Sequence, residues 1–421
     1  MLRIINARVV DPVNSTDEVL CVEISNGVIR HIGKDASDVS PERIIDADGA
    51  FLFPGFCDVH VHFRDPGFTH KEDIYTGAKC AARGGFTDVV MMANTSPAID
   101  NLDTLKYVLE KGAKTPVHVH ACGTVSKGLK GTELTDMKAL KEAGAIGFTD
   151  DGIPLMDADL LKKAFLNAAE LDMPVSLHEE DKSYIKENGI NHGRASEHYG
   201  IYGSPREAES SLIARDIEIA KECGVHMEVQ HISSKEGVDL VRKAKANYPD
   251  IYAEVTPHHL ALTEEAAIEY GTNAKMNPPL RTEEDRLALI EGVKDGTITI
   301  IATDHAPHAV SEKEAEITKA PSGIIGLETA FTITYDVLVR GAGMPVSEFV
   351  ELFTVNPRKL YKLPSEGIRV GAPADMAIFA PDREYIYDHS LSKSSNSPFM
   401  GKTLKGQIIY TICKGEICFE A

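Results

Sequence analysis

From Phe56 onward the chain alternates between short β-rich runs and stretches of helical period, and this alternation constrains its fold more than any other feature. Eight runs rich in β-branched and apolar residues fall at 56–62, 86–93, 116–121, 145–149, 174–178, 225–231, 251–256 and 298–303. Most precede an amphipathic stretch: Glu72 to Arg83 stops at Gly84-Gly85, NLDTLKYVLEK stops at Gly112, and EAESSLIARDIEIAKEC runs on to Gly224. Repeated β/α units of this kind predict a closed (β/α)8 TIM-type barrel rather than an open, doubly wound sheet. No G-x-G-x-x-G follows the first strand and no Walker-type Gly-Lys-Ser/Thr loop occurs, which removes the best support for a nucleotide-binding fold.

The two ends of the chain read differently. Residues 2–10 and 18–33 are β-rich, with Asn26-Gly27 where a tight hairpin turn belongs, and the far end repeats the style with Lys414-Gly415 inside GQIIYTICKGEICFEA. Chain termini often lie close together. The expectation is therefore a small β-sandwich domain composed of residues 1–52 and 363–421, flanking a barrel over 53–362. Acidic residues outnumber basic ones 64 to 44, a formal charge of −20, which argues against a nucleic-acid partner because phosphate binding needs a basic face. No apolar run reaches the length of about 18 residues that a membrane span needs, and the N-terminus lacks the basic flank and apolar core of a signal peptide. Seven cysteines without any Cys-x-x-Cys read as free thiols in a reducing compartment. These features predict a soluble cytoplasmic protein.

Chemistry concentrates at the strand ends. His60-Val61-His62 closes the first strand, and side chains at i and i+2 share one face, so both imidazoles can address one ion in the barrel mouth. His118-Val119-His120 has the same spacing but no acid or arginine nearby in sequence, whereas the first pair sits in PGFCDVHVHFRDPG beside Arg64. The first pair is the expected ligand set and the second is expected to be structural. Asp150-Asp151, His178, His231 and Asp304 end the fourth, fifth, sixth and eighth runs. Imidazoles and carboxylates at one rim suit zinc or a similar divalent ion, and two ions would share Asp151 as a bridge. Such an ion lowers the pKa of a bound water toward about 7, which makes hydrolysis accessible at neutral pH. Asp304 is the expected proton carrier. Residues 309–320, polar and charged, lie on the active-site side of the eighth strand, where a solvated surface loop and a mobile lid are equally open readings.

The motif PGFCDVHVHFRDPG resembles the first signature of the dihydroorotases within the amidohydrolase superfamily, and ATDHAPH (302–308) resembles the second. GFTDDG, TPHHL, KMNPPLR and the C-terminal GIRVGAPADMAIF are similar to the same family, so the likeness spans the chain. It implies that His60 and His62 bind one metal, that Asp151 bridges, that His178 and His231 hold a second, and that Asp304 is both ligand and general acid/base. It also implies that His62, Arg64, Asn94, Asn277, His308 and the backbone around Ser322-Gly323 contact substrate. Many relatives bridge their metals with a carboxylated lysine, but the fourth strand end here has only aspartates, as in the dihydroorotase subgroup that uses Asp. The implied reaction is reversible cyclisation of N-carbamoyl-L-aspartate to L-dihydroorotate in pyrimidine synthesis, with one or two Zn2+ ions per subunit. A homodimer and association with aspartate transcarbamoylase are the implied assemblies. Two rivals stand beside this reading: another cyclic amidase of hydantoinase, dihydropyrimidinase or allantoinase type, and a metal-free scaffold that partners the transcarbamoylase. Because the implied substrates are anions and the chain is acidic, binding requires a local reversal of charge from the metal and Arg64.

Overall fold

The computed structural model describes residues 1–421. The chain enters through five strands: β1 (Leu2–Asp11), β2 (Thr16–Ser25), β3 (Val28–Gly33), β4 (Arg43–Asp46) and β5 (Phe51–Pro54). Seven strands follow in the central region: β6 (Phe56–Val61), β7 (Phe86–Met91), β8 (His118–Ala121), β9 (Val175–Leu177), β10 (Met227–Val229), β11 (Ile251–Val255) and β12 (Ile300–Ile301). The chain leaves through β13 (Met376–Ile386), β14 (Thr403–Cys413) and β15 (Glu416–Glu420).

The central strands are parallel and form two ladders, β6-β7-β8 and β9-β10-β11-β12. Phe148 joins them by bridging Gly123 on one side and Val175 on the other, and Val61 pairs with His305 to close the ring. The result is the predicted barrel with two departures. The fourth run, 145–149, contributes one bridging residue rather than a strand. Its backbone still pairs with Ala121 and Gly123 on one side and Pro174 on the other, and Gly147 packs against Tyr361, where a Cβ would lie 2.7 Å from the ring. The eighth run is a strand only at Ile300–Ile301, because beyond it the Thr303 N–H turns to the buried Asp58 carboxylate at 3.2 Å instead of to a neighbouring strand. The helices obey ordinary end chemistry. Helix Ile74–Arg83 starts at Asp73, whose carboxylate accepts from the Tyr75 and Thr76 amides at 2.9 Å, and it buries Ile74, Ala78, Ala81 and Ala82.

The two chain ends meet in one eight-stranded sheet, ordered β15-β14-β13-β5-β1-β2-β3 with β4 on β1. The β13–β5 pairing, Met376 with Pro54 through Phe379 with Phe51, ties the C-terminal strands to the N-terminal ones. The hairpin turns at Asn26-Gly27 and Lys414-Gly415 have positive φ throughout and pack back to back, so that a Cβ on Gly415 would lie 2.5 Å from the Gly27 Cα. A core of 16 buried residues, including Ile4, Val22, Leu52 and Met376, fills this domain. A larger core of 65 residues packs the barrel strands against the helices and runs into the sheet through Phe53 and Phe379, while a separate cluster including Cys57, Val59, Val90, Ile300 and Tyr361 fills the barrel interior. No helix is long and apolar enough to cross a membrane.

A phenylalanine cluster joins barrel to sheet. Phe331 stacks on Phe56 at 4.3 Å and lies 5.4 Å from Phe53, 4.9 Å from Phe379 and 5.2 Å from Phe353. The ring therefore touches β5, β6 and β13 at once, and no smaller side chain fills the space. Phe331→Ala is expected to cost about 3–5 kcal/mol of stability, measured as a lowered denaturant midpoint; a loss below about 1 kcal/mol would contradict this packing role.

Candidate metal centre and substrate cavity

The site is built from backbone that leaves the strands at one rim. His60 and His62 lie two residues apart at the end of β6, with ring centroids 5.2 Å apart. Asp151 follows the Phe148 bridge, His178 follows β9, His231 follows β10 and Asp304 follows β12. His231, Asp304 and Arg64 have φ of 30°, 45° and 58°. Non-glycine residues in this region carry strain of order 1–3 kcal/mol each, which surrounding structure must hold.

The six predicted ligand residues converge. Asp151 Oδ1 lies 3.5 Å from His60 Nε2 and 3.8 Å from both His178 Nδ1 and His231 Nε2, while its Oδ2 lies 3.4 Å from His62 Nε2. Asp304 Oδ1 lies 3.0 Å from His62 Nε2 and 3.6 Å from His60 Nε2. Two groups can each hold an ion, His60-His62-Asp151 and Asp151-His178-His231, with ligand atoms within 4.8 Å of one another. Asp151 belongs to both. His60 Nε2 is buried without a hydrogen-bond partner and points into this cluster. A buried imidazole nitrogen left open costs free energy unless something binds it, and four imidazoles with a shared carboxylate fit a divalent ion.

Charge within the cluster is correlated. Burial opposes ionisation of Asp151 and Asp304, but His60 and His62 outweigh it and hold both carboxyls below their usual range. Burial likewise opposes protonation of His60, and Glu254 with Asp151 reverses that effect. Two acids that sequence reasoning missed support the imidazoles. Glu254, inward-facing on β11, meets His60 Nδ1 at 2.5 Å and accepts the His231 backbone N–H at 3.0 Å through the same oxygen. Glu180 Oε2 lies 3.5 Å from His178 Nε2 and accepts from Asn277 Nδ2 at 2.5 Å. An acid in the middle of the otherwise apolar run IYAEV was the available signal for Glu254.

Their neighbours in sequence do other work. Asp150 turns away and accepts the Val125 and Ser126 amides at 2.8 and 3.1 Å. His118 and His120 point toward the terminal sheet and β7, pairing with Asp375 at 3.1 Å and Asp88 at 3.0 Å. His60 and His62 reach the Asp151 cluster and the second pair does not, although His118 stands with Asp375 and Cys413 in a separate group that could hold an ion.

A cavity of about 440 Å3 opens over the centre, lined by His62, Arg64, Asn94, Asn277, Asp304 and His308 and walled by residues 318–323. Residues 309–320 are therefore not simply solvated surface; their last part borders the site. Asn94 accepts from His62 Nδ1 at 2.9 Å and donates to Asp151 Oδ2 at 3.0 Å, which braces the ligands as well as facing the cavity. Arg64 donates to the Pro307 carbonyl at 3.2 Å and approaches His308 at 3.4 Å, and no carboxylate pairs with it. Asn277 Oδ1, His308 Nδ1 and Ser322 Oγ are buried and unpartnered. Gly323 commits its N–H to the Lys275 carbonyl at 2.9 Å, leaving the Ser322 side chain as the open group of that wall.

Comparison with known proteins agrees with this geometry. A family profile described as Dihydro-orotase-like matches residues 49–237. The dihydroorotase of Clostridioides difficile (strain 630) is 50% identical over 421 residues, covering 100% of both chains. That of Streptococcus pneumoniae is 48% identical over 423 residues, again covering 100% of both. Among solved structures, L-hydantoinase (dihydropyrimidinase) from Arthrobacter aurescens superposes with a TM-score of 0.87 at 26% identity, covering 99% of this chain and 95% of that one. Dihydropyrimidinase from Brevibacillus agri NCHU1002 shares the fold with a TM-score of 0.85 at 24% identity, covering 99% and 94%. Full-length identity near one half, on a barrel whose rim carries both family signatures, shows that this chain belongs to the dihydroorotase family.

Proposed function

We propose that this protein is a zinc-dependent dihydroorotase that interconverts N-carbamoyl-L-aspartate and L-dihydroorotate, with the roles of its residues as follows. The observation that carries the reading is Arg64: a guanidinium with no carboxylate partner, on the wall of a cavity that also holds Asp304 and the two candidate metal groups. Hydantoin, dihydrouracil and allantoin offer that arginine no carboxylate; dihydroorotate does. A planar fork binds a carboxylate in two parallel hydrogen bonds, and the open polar atoms of Asn277, His308 and Ser322 complete the pocket.

His60, His62 and Asp151 would hold one divalent ion, and Asp151, His178 and His231 a second. The nitrogen-rich donor set supports zinc. Such ions, when bound, supply a Lewis acid for the amide carbonyl and acidify the attacking water. Asp304 handles the proton. In hydrolysis it takes a proton from the attacking water; the ring C–N bond breaks and Asp304 returns the proton to the departing nitrogen. In synthesis it takes the proton of the carbamoyl nitrogen as that nitrogen attacks the side-chain carboxyl carbon, and gives it to the departing water. His62, 3.0 Å from Asp304 Oδ1, keeps this carboxylate ionised and aimed.

Seven unpaired cysteines support a cytoplasmic location. A homodimer, alone or bound to aspartate transcarbamoylase, is the proposed assembly, tested by sedimentation with and without that enzyme. Comparing turnover of L-dihydroorotate with that of dihydrouracil and allantoin tests the substrate; preference for either uncharged ring would overturn the assignment. Asp304→Asn is expected to lower kcat by a factor of order 10²–10⁴ with metal content and KM retained, and near-normal turnover would remove Asp304 from the proton path. Glu254→Gln is expected to weaken zinc affinity roughly 10–100-fold, read by competition with a chelator; unchanged affinity would mean that His60 is positioned without it.

A further inference from the structure

Only two lysines of the chain are buried, Lys275 at 2% exposure and Lys313 at 5%, and neither forms an ion pair. Lys275 lines the cavity, and Lys313 stands behind the same wall. Lys275 Nζ donates to the carbonyls of Ile317 and Ala320, each at 2.7 Å. Lys313 Nζ donates to Pro321 at 2.8 Å and Gly323 at 3.1 Å. Four carbonyls of the segment 317–323 are thus turned onto two ammonium groups, and Gly323 is pinned again through its N–H to the Lys275 carbonyl. Ser322, between two carbonyls held by Lys313, keeps its buried hydroxyl unpartnered.

Carbonyl oxygens satisfy hydrogen-bond donors but do not neutralise charge. A buried ammonium without a counterion is costly, and a chain could fill this space with apolar side chains. We propose that Lys275 and Lys313 are positioning residues that determine specificity: they hold the 317–323 wall and give it the positive charge that selects a carboxylate-bearing ring over an uncharged one. The inference rests on the dihydroorotate reading above and deepens it, because it supplies with Arg64 the local positive charge that an anionic substrate needs in an acidic protein. Substrate carboxylate is the counterion that the folded chain itself does not provide.

Protonation of the pair is sensitive to its surroundings. Burial pushes Lys275 down to about 8, and burial with the adjacent Lys275 charge pushes Lys313 down to about 7. The charged and titratable groups facing Lys313 are Lys275, His308 and Glu312, the last already paired with Lys71 at 2.8 Å; Lys275 faces Lys313. A lysine with a depressed pKa is charged below that pKa and neutral above it, so the positive wall is present at low pH and fades as pH rises through about 7–8.

Steady-state kinetics of Lys275→Met and Lys313→Met, with Lys313→Arg as the charge-retaining control, test the proposal. Each Met variant is expected to raise KM for L-dihydroorotate about tenfold with kcat within about threefold, and the Arg variant to restore most of the affinity. Equal loss in kcat and kcat/KM without rescue by Arg would make the lysines structural only, and an unchanged KM would remove them from recognition; either result overturns the proposal. If the Met variants do not fold, the wild-type enzyme decides: KM should rise between about pH 6.5 and 9 as the lysines lose their protons, and a flat KM overturns the proposal. Wild-type protein with full metal content and no turnover of L-dihydroorotate would instead overturn the underlying substrate assignment.

Discussion

The carboxylate of Asp151 is the point on which the rest of the site depends. It is short, and it must lie within reach of four imidazoles contributed by β6 and by the ends of β9 and β10, at 3.4–3.8 Å from each. The fourth run carries it there: the Ile146 and Thr149 amides donate to the Ala121 and Gly123 carbonyls at 3.1 and 3.0 Å, the Phe148 amide donates to Pro174 at 3.1 Å on the other side, Gly147 packs directly against Tyr361, and Gly152 takes a φ of 76° immediately after Asp151.

Outward from Asp151, three of the four imidazoles meet a polar neighbour that is buried or half-buried. Glu254 orients His60, Glu180 with Asn277 orients His178, and Asn94 links His62 to Asp151. Such partners fix the tautomer and direction of an imidazole and raise its basicity. They also place several carboxylates inside the barrel, where desolvation opposes ionisation. The neutralising charges are the imidazoles and whatever cation those imidazoles hold. The same logic governs the cavity above. In a chain of formal charge −20, the wall that faces the substrate carries Arg64, Lys275 and, behind it, Lys313, none of them paired with a carboxylate. Net charge describes the outer shell, and long-range repulsion of an anion is screened over roughly 8–10 Å at physiological salt.

Much of the site was legible in the sequence because a barrel places the residue after each strand at one rim. Once eight runs were counted, His60, His62, Asp151, His178, His231 and Asp304 stood at the ends of five of them, and their convergence needed no knowledge of side-chain contacts. The contrast between His60-Val61-His62 and His118-Val119-His120 was also readable, since only the first pair lies beside Arg64. What stayed hidden depends on direction or on distant partners. Glu254 is one residue of a strand, and only its inward orientation makes it a support for His60. Lys313 looks like one of several charges in AVSEKEAEITKA until the fold turns the carbonyls of Pro321 and Gly323 onto it. The pairing of the two chain ends was anticipated from their β character, but its register, β13 on β5, was not readable without the structure.

Turnover of L-dihydroorotate at the Asp151-centred groups requires the metal that they would hold. The most direct test of this requirement follows that turnover while divalent metal is stripped from the purified protein and then returned, with bound metal quantified in the same samples. Activity is expected to fall to background as metal is removed and to return in proportion to zinc re-bound. Undiminished turnover in protein shown to hold no metal would contradict it.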